Sequence, residues 1–317
     1  MKNYIVYVPN KIGGVNNVTY SLSLGLQKLG HSVKIVNSIK SMLHALIDNK
    51  SAIFISSLSF GIFNPLFKKS IYILHGFPMK DSQSKIASYV LKLMPQYVKF
   101  FKGKLIAVSH LTKEIHERIY GINVDDVIHN GVSSEYYEDV NNRKKVKEKN
   151  ILYVGRIVEG KGVRNIINGF KSSRANDFGY KLVIVGSGSL LGELSSEADG
   201  QKNIIFKGEI SENEKVELMK AADIFISLHS FEPMGVVFAE AIVTGCKIIA
   251  PFCGGYREFI PSLYPFFGCD PRKMETVALA IDTAIQSQTS NLFEDIDIQY
   301  FNYECRVAPD YERISFK

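Results

Sequence analysis

The sequence has no cysteine pair spaced C-x-x-C, and its four cysteines, Cys246, Cys253, Cys269 and Cys305, all lie in the second half. Neither a zinc knuckle nor a dithiol redox motif fits, and free thiols in a reducing cytoplasm are expected. No apolar run reaches the roughly 18 residues that span a bilayer. The N-terminal MKNYIVYVPN reads as a short strand, not a signal peptide. No stripe of arginine interleaved with aromatics occurs, so nucleic acid is not an expected partner. No His/Cys cluster has ligand spacing, and no bound metal is expected. G-x-G-x-x-G is missing too. Its nearest match, Gly186-Ser-Gly188-Ser-Leu-Leu-Gly192, carries the third glycine one position late. Dinucleotide oxidoreduction is therefore disfavoured.

What is present is globular. Of 317 residues, 46% are hydrophobic and 22% charged, enough for two cores of ordinary size. The formal net charge of +6 favours anionic partners without naming one. Short β-branched runs recur at 4–8, 33–36, 52–55, 71–74, 105–108, 151–154, 181–185, 204–206, 224–227 and 247–250, each followed by a turn signal and a helical pattern. Strands alternating with helices predict an α/β fold with parallel sheets buried on both faces. A polar run, NNRKKVKEKN, interrupts the alternation. It predicts a first domain over 1–140, a linker at 141–149, a second domain over 150–293 and a tail from 294 to 317.

In open parallel sheets, ligands gather beyond the carboxyl ends of the strands, so the residues just after each strand carry most information. After the first strand comes Lys11-Ile-Gly13-Gly14 and a helix over 17–29. Two glycines before a helix N-terminus suit an anion, and equally a plain tight turn. The second half repeats the arrangement with Arg156 and Gly160-Lys161-Gly162 before another helix. A cation at a helix start opposes the helix dipole by about 0.3–1 kcal/mol, a cost that an anion held between Lys161, Arg156 and the amides would offset. Two surface cations on a loop is the bland alternative. Most telling is the string from Ser227 to Gly245, with Glu232 before a helix predicted to begin near Gly235 and Glu240 in its second turn. The amides of Gly235, Val236 and Val237 share that opening, so donors fit for phosphate meet carboxylates fit for hydroxyls. A capping Glu plus an exposed Glu would explain either acid alone, but not the whole string.

With those residues in view, the chain resembles the family 4 retaining glycosyltransferases, which have the GT-B architecture of two Rossmann-like domains facing a cleft. The resemblance rests on two glutamates separated by seven residues in EPMGVVFAEAIVTG. Supporting it are VGRIVEGKG at 154–162, the Gly13-Gly14 turn, GHSV at 30–33, HG at 75–76, AVS at 107–109, HNGV at 129–132, VGSGS at 185–189 and FKGEI at 206–210. The resemblance implies that Arg156 and Lys161 bind the donor diphosphate and that Glu232 contacts the sugar, with the amides of Met234 to Val236 nearby. It implies that Glu240 holds the ribose, that Glu209 and Ile210 lie by the base, that Gly14 faces the phosphate and that His75 sits near the transferred sugar. Two departures stand out. A first domain of about 140 residues is short for the family, and the long terminal helix that crosses back in relatives can form only in part from 302–317.

These implications add up to a retaining transfer of a hexose or N-acetylhexosamine from a nucleotide diphosphate sugar, a UDP-sugar first, to a saccharide or lipid-linked acceptor of cell-envelope glycan synthesis, with no metal. A sugar-nucleotide epimerase or hydrolase of similar fold, and a non-catalytic sugar-nucleotide binder, remain the alternatives. Asp295-Ile-Asp297 spells D-x-D but lies in the polar tail, where a solvated turn is the better reading. The segment 80–104 interleaves Lys80, Lys85, Lys92, Lys99, Lys102 and Lys104 with Leu91, Leu93, Met94, Tyr97, Phe100 and Phe101. A basic amphipathic segment suits either a domain helix with a solvated face or peripheral contact with an anionic membrane at its inner face.

Overall fold

The computed structural model describes residues 1–9, 14–77, 85–138, 147–229, 231–262, 264–287 and 297–315, without the side chains of 85–88, 90 and 91. Gly13, Lys80, Asp295 and most of the polar run at 141–149 lie outside the described residues. The chain divides into two compact units, Met1–Ser133 with Ile298–Lys317, and Ser134–Asp297.

The first unit is built on strands β1 (Asn3–Tyr7), β2 (Ser32–Val36), β3 (Ile53–Ser57), β4 (Lys69–Leu74), β5 (Lys104–Ala107) and β6 (Asp126–Val127). They lie in the order β2-β1-β3-β4-β5-β6, every pairing parallel. Helices α1 (Gly14–Lys28), α2 (Ile39–Asp48), α3 (Lys85–Phe100) and α4 (His110–Tyr120) make the crossovers. All five β3 residues are buried, as a strand covered on both faces requires. Between β3 and β4 runs a 3-10 stretch, Leu58–Leu66, which Pro65 cannot extend as an α-helix. Helix α10 (Ala308–Ile314) belongs to this same unit. A Cβ at Gly25 of α1 would lie 3.0 Å from the Ala308 Cβ, so α1 and the terminal segment touch nearly backbone to backbone. Lys2 donates to the carbonyls of Glu312 at 2.9 Å and Ser315 at 3.3 Å.

The second unit repeats the plan with β7 (Glu148–Val154), β8 (Lys181–Val185), β9 (Ile204–Gly208), β10 (Ala222–Ile226), β11 (Lys247–Pro251) and β12 (Phe266–Cys269). Their order is β12-β11-β10-β7-β8-β9, again all parallel. Helices α5 (Val163–Ser172), α6 (Leu191–Glu197), α7 (Glu212–Ala221), α8 (Val236–Thr244) and α9 (Met274–Gln286) accompany them. The fold is the two-sheet GT-B architecture of the α/β class.

Four details depart from the pattern read in the sequence. Edge strands β6 and β12 are too short to leave an apolar run. Glu148 and Lys149, expected at the end of a linker, already belong to β7. Lys147 beside them is also tied down, donating to the carbonyls of Lys220 at 2.6 Å and Thr244 at 2.8 Å near the ends of α7 and α8. A cation there satisfies carbonyls that a helix end leaves open. Residues 134–138, expected in the first half, pack with the second unit, where Tyr136 is buried.

Helix α8 differs from the others because Phe238 through Thr244 are all buried. A helix apolar on every side belongs at the centre of its layer. A carboxylate within it, Glu240, needs a partner, because an isolated buried charge is costly.

Candidate functional site

In the second unit, the loops after β7 and β10 meet. Gly162 caps α5 with φ +73°, and a Cβ there would sit 2.7 Å from the Leu228 Cβ. Only glycine meets both demands, and its absent side chain lets the β7 loop lie on Leu228. That contact carries Lys161 to the β10 loop. Its Nζ lies 3.0 Å from Oε2 of Glu232 and 3.2 Å from Nδ1 of His229. His229 Nδ1 is in turn 2.8 Å from the same Glu232 oxygen.

Glu232 is held from behind as well. Its carbonyl accepts from the Gly255 N–H at 2.9 Å, which ties the FCGGYRE loop to the site. Gly235 caps α8 with φ +78°, and a Cβ there would stand 2.8 Å from the Glu232 Cγ and 2.6 Å from the Phe238 ring. The cap therefore needs glycine for its left-handed backbone and to leave room for the acid. Burial acts to raise the Glu232 carboxyl, but the His229 hydrogen bond and the Lys161 charge outweigh it and hold it at about 2. The acid is ionised at neutral pH.

Arg156, after β7, is exposed, and its guanidinium has no partner among the described residues. Its carbonyl accepts from the Tyr153 hydroxyl at 2.8 Å, which anchors the backbone while leaving the side chain available. The first-turn amides of α8, Val236 and Val237 among them, have no acceptor within their own helix. Met234 is buried in the loop before them. Arg156 and Lys161 on the β7 loop, and these amides beyond the β10 loop, follow the carboxyl ends of two adjacent strands and form a donor-rich rim, with the Glu232 carboxylate held by Lys161 between the loops. Such a rim favours a doubly charged phosphate group, and the carboxylate favours a hydroxyl.

Glu240 sits apart from that rim, within α8. Its Oε1 accepts from Lys215 of α7 at 3.1 Å, and Lys215 also reaches Glu212 at 2.7 Å. Tyr136 donates to Glu212 at 3.3 Å, and its ring lies under the Lys215 ammonium at 5.6 Å. Burial raises the Glu240 carboxyl, Lys215 opposes the rise, and Glu212 adds to it. Glu209 is exposed after β9 and accepts from the Ser187 hydroxyl, with Ile210 beside it half-buried.

Gly14 and His75 belong to the first unit. Gly14 opens α1, with no heavy atom within 4 Å of where a Cβ would stand. His75 follows β4. Its Nε2 is buried with no partner among the described residues, and burial pushes the ring down to about 4. The imidazole is therefore neutral at pH 7.

Sequence reading found Lys161, Glu232 and Gly235, which the fold gathers within one loop cluster. It missed His229, Lys215 and Tyr136. A signal for His229 existed, since it stands three residues before Glu232 on a strand-end loop. None existed for Lys215, one more lysine in a charged helix, or for Tyr136, read as part of the first half.

An uncharacterized glycosyltransferase of Methanocaldococcus jannaschii is 28% identical over 200 residues, 57% of this chain and 50% of that protein. The chain thus spans about half the length of that curated relative. The crystal structure of a glycosyltransferase from Rickettsia africae superposes with a TM-score of 0.72 at 19% identity, covering 98% of this chain and 97% of that one. HepE of Anabaena, solved in complex with UDP-glucose, superposes with a TM-score of 0.72 at 14% identity, covering 99% of this chain and all of that one. At such identities the superpositions speak for the fold alone. The family model described as glycosyl transferases group 1 matches residues 137–297, which is just over half the chain and includes Arg156, Lys161, Glu232 and Glu240, so this protein belongs to the glycosyl transferases group 1 family.

Proposed function

We propose that the protein transfers a hexose or N-acetylhexosamine from a nucleotide diphosphate sugar, a UDP-sugar in the first instance, to a saccharide or lipid-linked acceptor, with retention of anomeric configuration. One observation carries the reading: Lys161 and Glu232 converge at 3.0 Å, Lys161 coming from the loop that also bears Arg156, whose guanidinium has no partner among the described residues, in a chain of this family.

The chemistry follows from the charges. As the glycosidic C–O bond of the donor breaks, negative charge grows on the departing diphosphate. Arg156, Lys161 and the α8 amides are preorganised to stabilise it, so no metal is required by the reading. The acceptor hydroxyl attacks the anomeric carbon from the side the diphosphate leaves, and its proton passes to the leaving phosphate oxygen. Glu232, ionised, takes a sugar hydroxyl, and Glu240 takes the ribose hydroxyls. Glu209 and Ile210 flank the base. Neutral His75 and Gly14 are assigned to the transferred sugar and the phosphate.

A peripheral membrane contact is a second element of the proposal. Tyr89, Leu93 and Phe100 on α3, with Phe101 just beyond it, are exposed, and so are Ile62 and Leu66 of the neighbouring 3-10 stretch. Tyr97 ties the two segments, donating to the Ile62 carbonyl at 3.1 Å. Lys92 and Lys102 are exposed beside them, whereas Lys99 is paired with Asp125 at 2.7 Å. Among the described residues no helix is long and apolar enough to cross a membrane.

Incubation with UDP-glucose, UDP-N-acetylglucosamine and GDP-mannose, with and without acceptor extract, tests the enzyme reading. Release of free nucleotide that rises with acceptor supports transfer. Release without any acceptor dependence supports a hydrolase. Binding with no release supports a sensor.

A further inference from the structure

We propose that His229 is a positioning residue of this site, gripping one oxygen of Glu232 so that the acid stays aimed when Lys161 turns to the diphosphate. The inference rests on the donor-site reading of Lys161 and Glu232 given above.

The geometry sets up a competition at one atom. His229 Nδ1 lies 2.8 Å from Oε2 of Glu232 and 3.2 Å from the Lys161 ammonium. A single ring nitrogen cannot donate to a carboxylate and accept from an ammonium at once. The shorter, charge-assisted contact is with the carboxylate, so the ring carries its proton on Nδ1 and donates it to Glu232. Lys161 then directs its own N–H to the same oxygen, at 3.0 Å. Both donors crowd Oε2, while Oε1 has no partner among the described residues. That oxygen is the one left to accept a sugar hydroxyl.

Lys161 has two claims on it. Before the donor arrives it neutralises Glu232; with the donor bound it faces a diphosphate of greater charge. If it were the only donor on Glu232, its departure would strand a largely buried carboxylate, which would protonate or swing toward water. His229 prevents that because its anchor does not depend on the ligand. It directly follows Leu228, which is buried beneath Gly162, and Ser227 just before is bonded to the Ile249 carbonyl at 3.0 Å. The Glu232 backbone is fixed by Gly255, so the side chain is the only part left to hold.

The test uses the full chain and whichever of UDP-glucose, UDP-N-acetylglucosamine or GDP-mannose it turns over. His229→Ala is expected to lower kcat about tenfold to hundredfold, the size of one hydrogen bond to a charged group. The Kd for the matching nucleoside diphosphate, which lacks the sugar, should stay within about twofold by the same reasoning. His229→Asn should restore most of kcat, since its amide N–H falls where Nδ1–H stood. His229→Gln, whose amide reaches further, should not. Lys161→Ala should instead weaken the nucleoside diphosphate itself. Unchanged kcat in His229→Ala, or a loss of diphosphate binding as large as in Lys161→Ala, overturns the role of His229 alone. Unchanged turnover in Glu232→Gln, or no turnover of any donor, overturns the donor-site reading and this inference with it.

Discussion

Lys215 and Glu240, on the successive helices α7 and α8, meet at 3.1 Å in a part of the second unit where both side chains are largely buried. Glu240 stands on a helix with no other polar side chain except Thr244, and Lys215 is its only cation among the described residues. The pair explains how a helix this apolar tolerates an acid, and it sets the conditions under which that acid is ionised.

Lys215→Met should therefore leave Glu240 and Glu212 uncompensated. Breaking a buried pair by removing one partner costs about 3 kcal/mol, which urea unfolding at pH 7 would read. Burial raises the Glu240 carboxyl above its ordinary 4.5 despite Lys215. For a raised acid, stability is highest below the unfolded value and declines as pH climbs through the folded value. Without Lys215 the folded value climbs further, so the variant's deficit should be larger at pH 8 than at pH 5. Adding Glu240→Gln should remove that pH dependence. If Glu240 holds the ribose, Lys215→Met should also erase any preference for UDP over 2′-deoxy-UDP.

Glu232 titrates the opposite way. Its folded carboxyl sits at about 2 against an ordinary 4.5. A depressed acid contributes stability that is fully present above the unfolded value and lost as pH falls through the folded one. The wild-type advantage over Glu232→Gln should be about 3 kcal/mol at pH 6 and should shrink between pH 4.5 and 2. Chemical denaturation of the two proteins across that range measures it, and a constant gap would contradict the ion-pair assignment.

His75 should remain neutral well into acid. Burial holds its ring at about 4, against an ordinary 6.5. The NMR shifts of a labelled His75 ring should stay those of neutral imidazole down to pH 5. A midpoint near 6.5 would show the ring open to water and unsuited to its assigned place.

Gly235→Ala puts a Cβ at φ +78° within 2.8 Å of the Glu232 Cγ. The backbone strain costs about 1–2 kcal/mol, a loss visible in thermal unfolding. Activity should fall further than stability does, because the acid must move.

On anionic vesicles, the double variant Lys92→Glu, Lys102→Glu should float markedly less than wild type, each lysine near such a surface being worth about 1 kcal/mol. Lys99→Glu should matter less than either of these, its charge being already taken by Asp125. Equal flotation of all variants would remove membrane contact from the account.

Much of this was legible because parallel sheets write themselves plainly. Buried strands such as β8 leave nearly unbroken apolar runs, and the loops after two others, β7 and β10, carry Lys161 and Glu232. The edge strand β12, four residues following a proline, leaves no comparable trace. Charge runs misled at Lys147 to Lys149, since a lysine capping two helix ends looks the same in sequence as a solvated one. Lys215 and Tyr136 were hidden for a related reason: their meaning comes from Glu240 across a helix pair, and pairings of that kind have no period. His229 was adjacent to a recognised residue, yet a lone histidine is more often structural than functional.

Isothermal titration of UDP and GDP into the wild type and Lys161→Ala tests the central claim most directly. The account predicts saturable binding of at least one nucleoside diphosphate by the wild type, weakened about tenfold or more when the Lys161 charge is removed. Equal affinity in both proteins, or no binding of either nucleotide, would contradict a diphosphate site at Lys161.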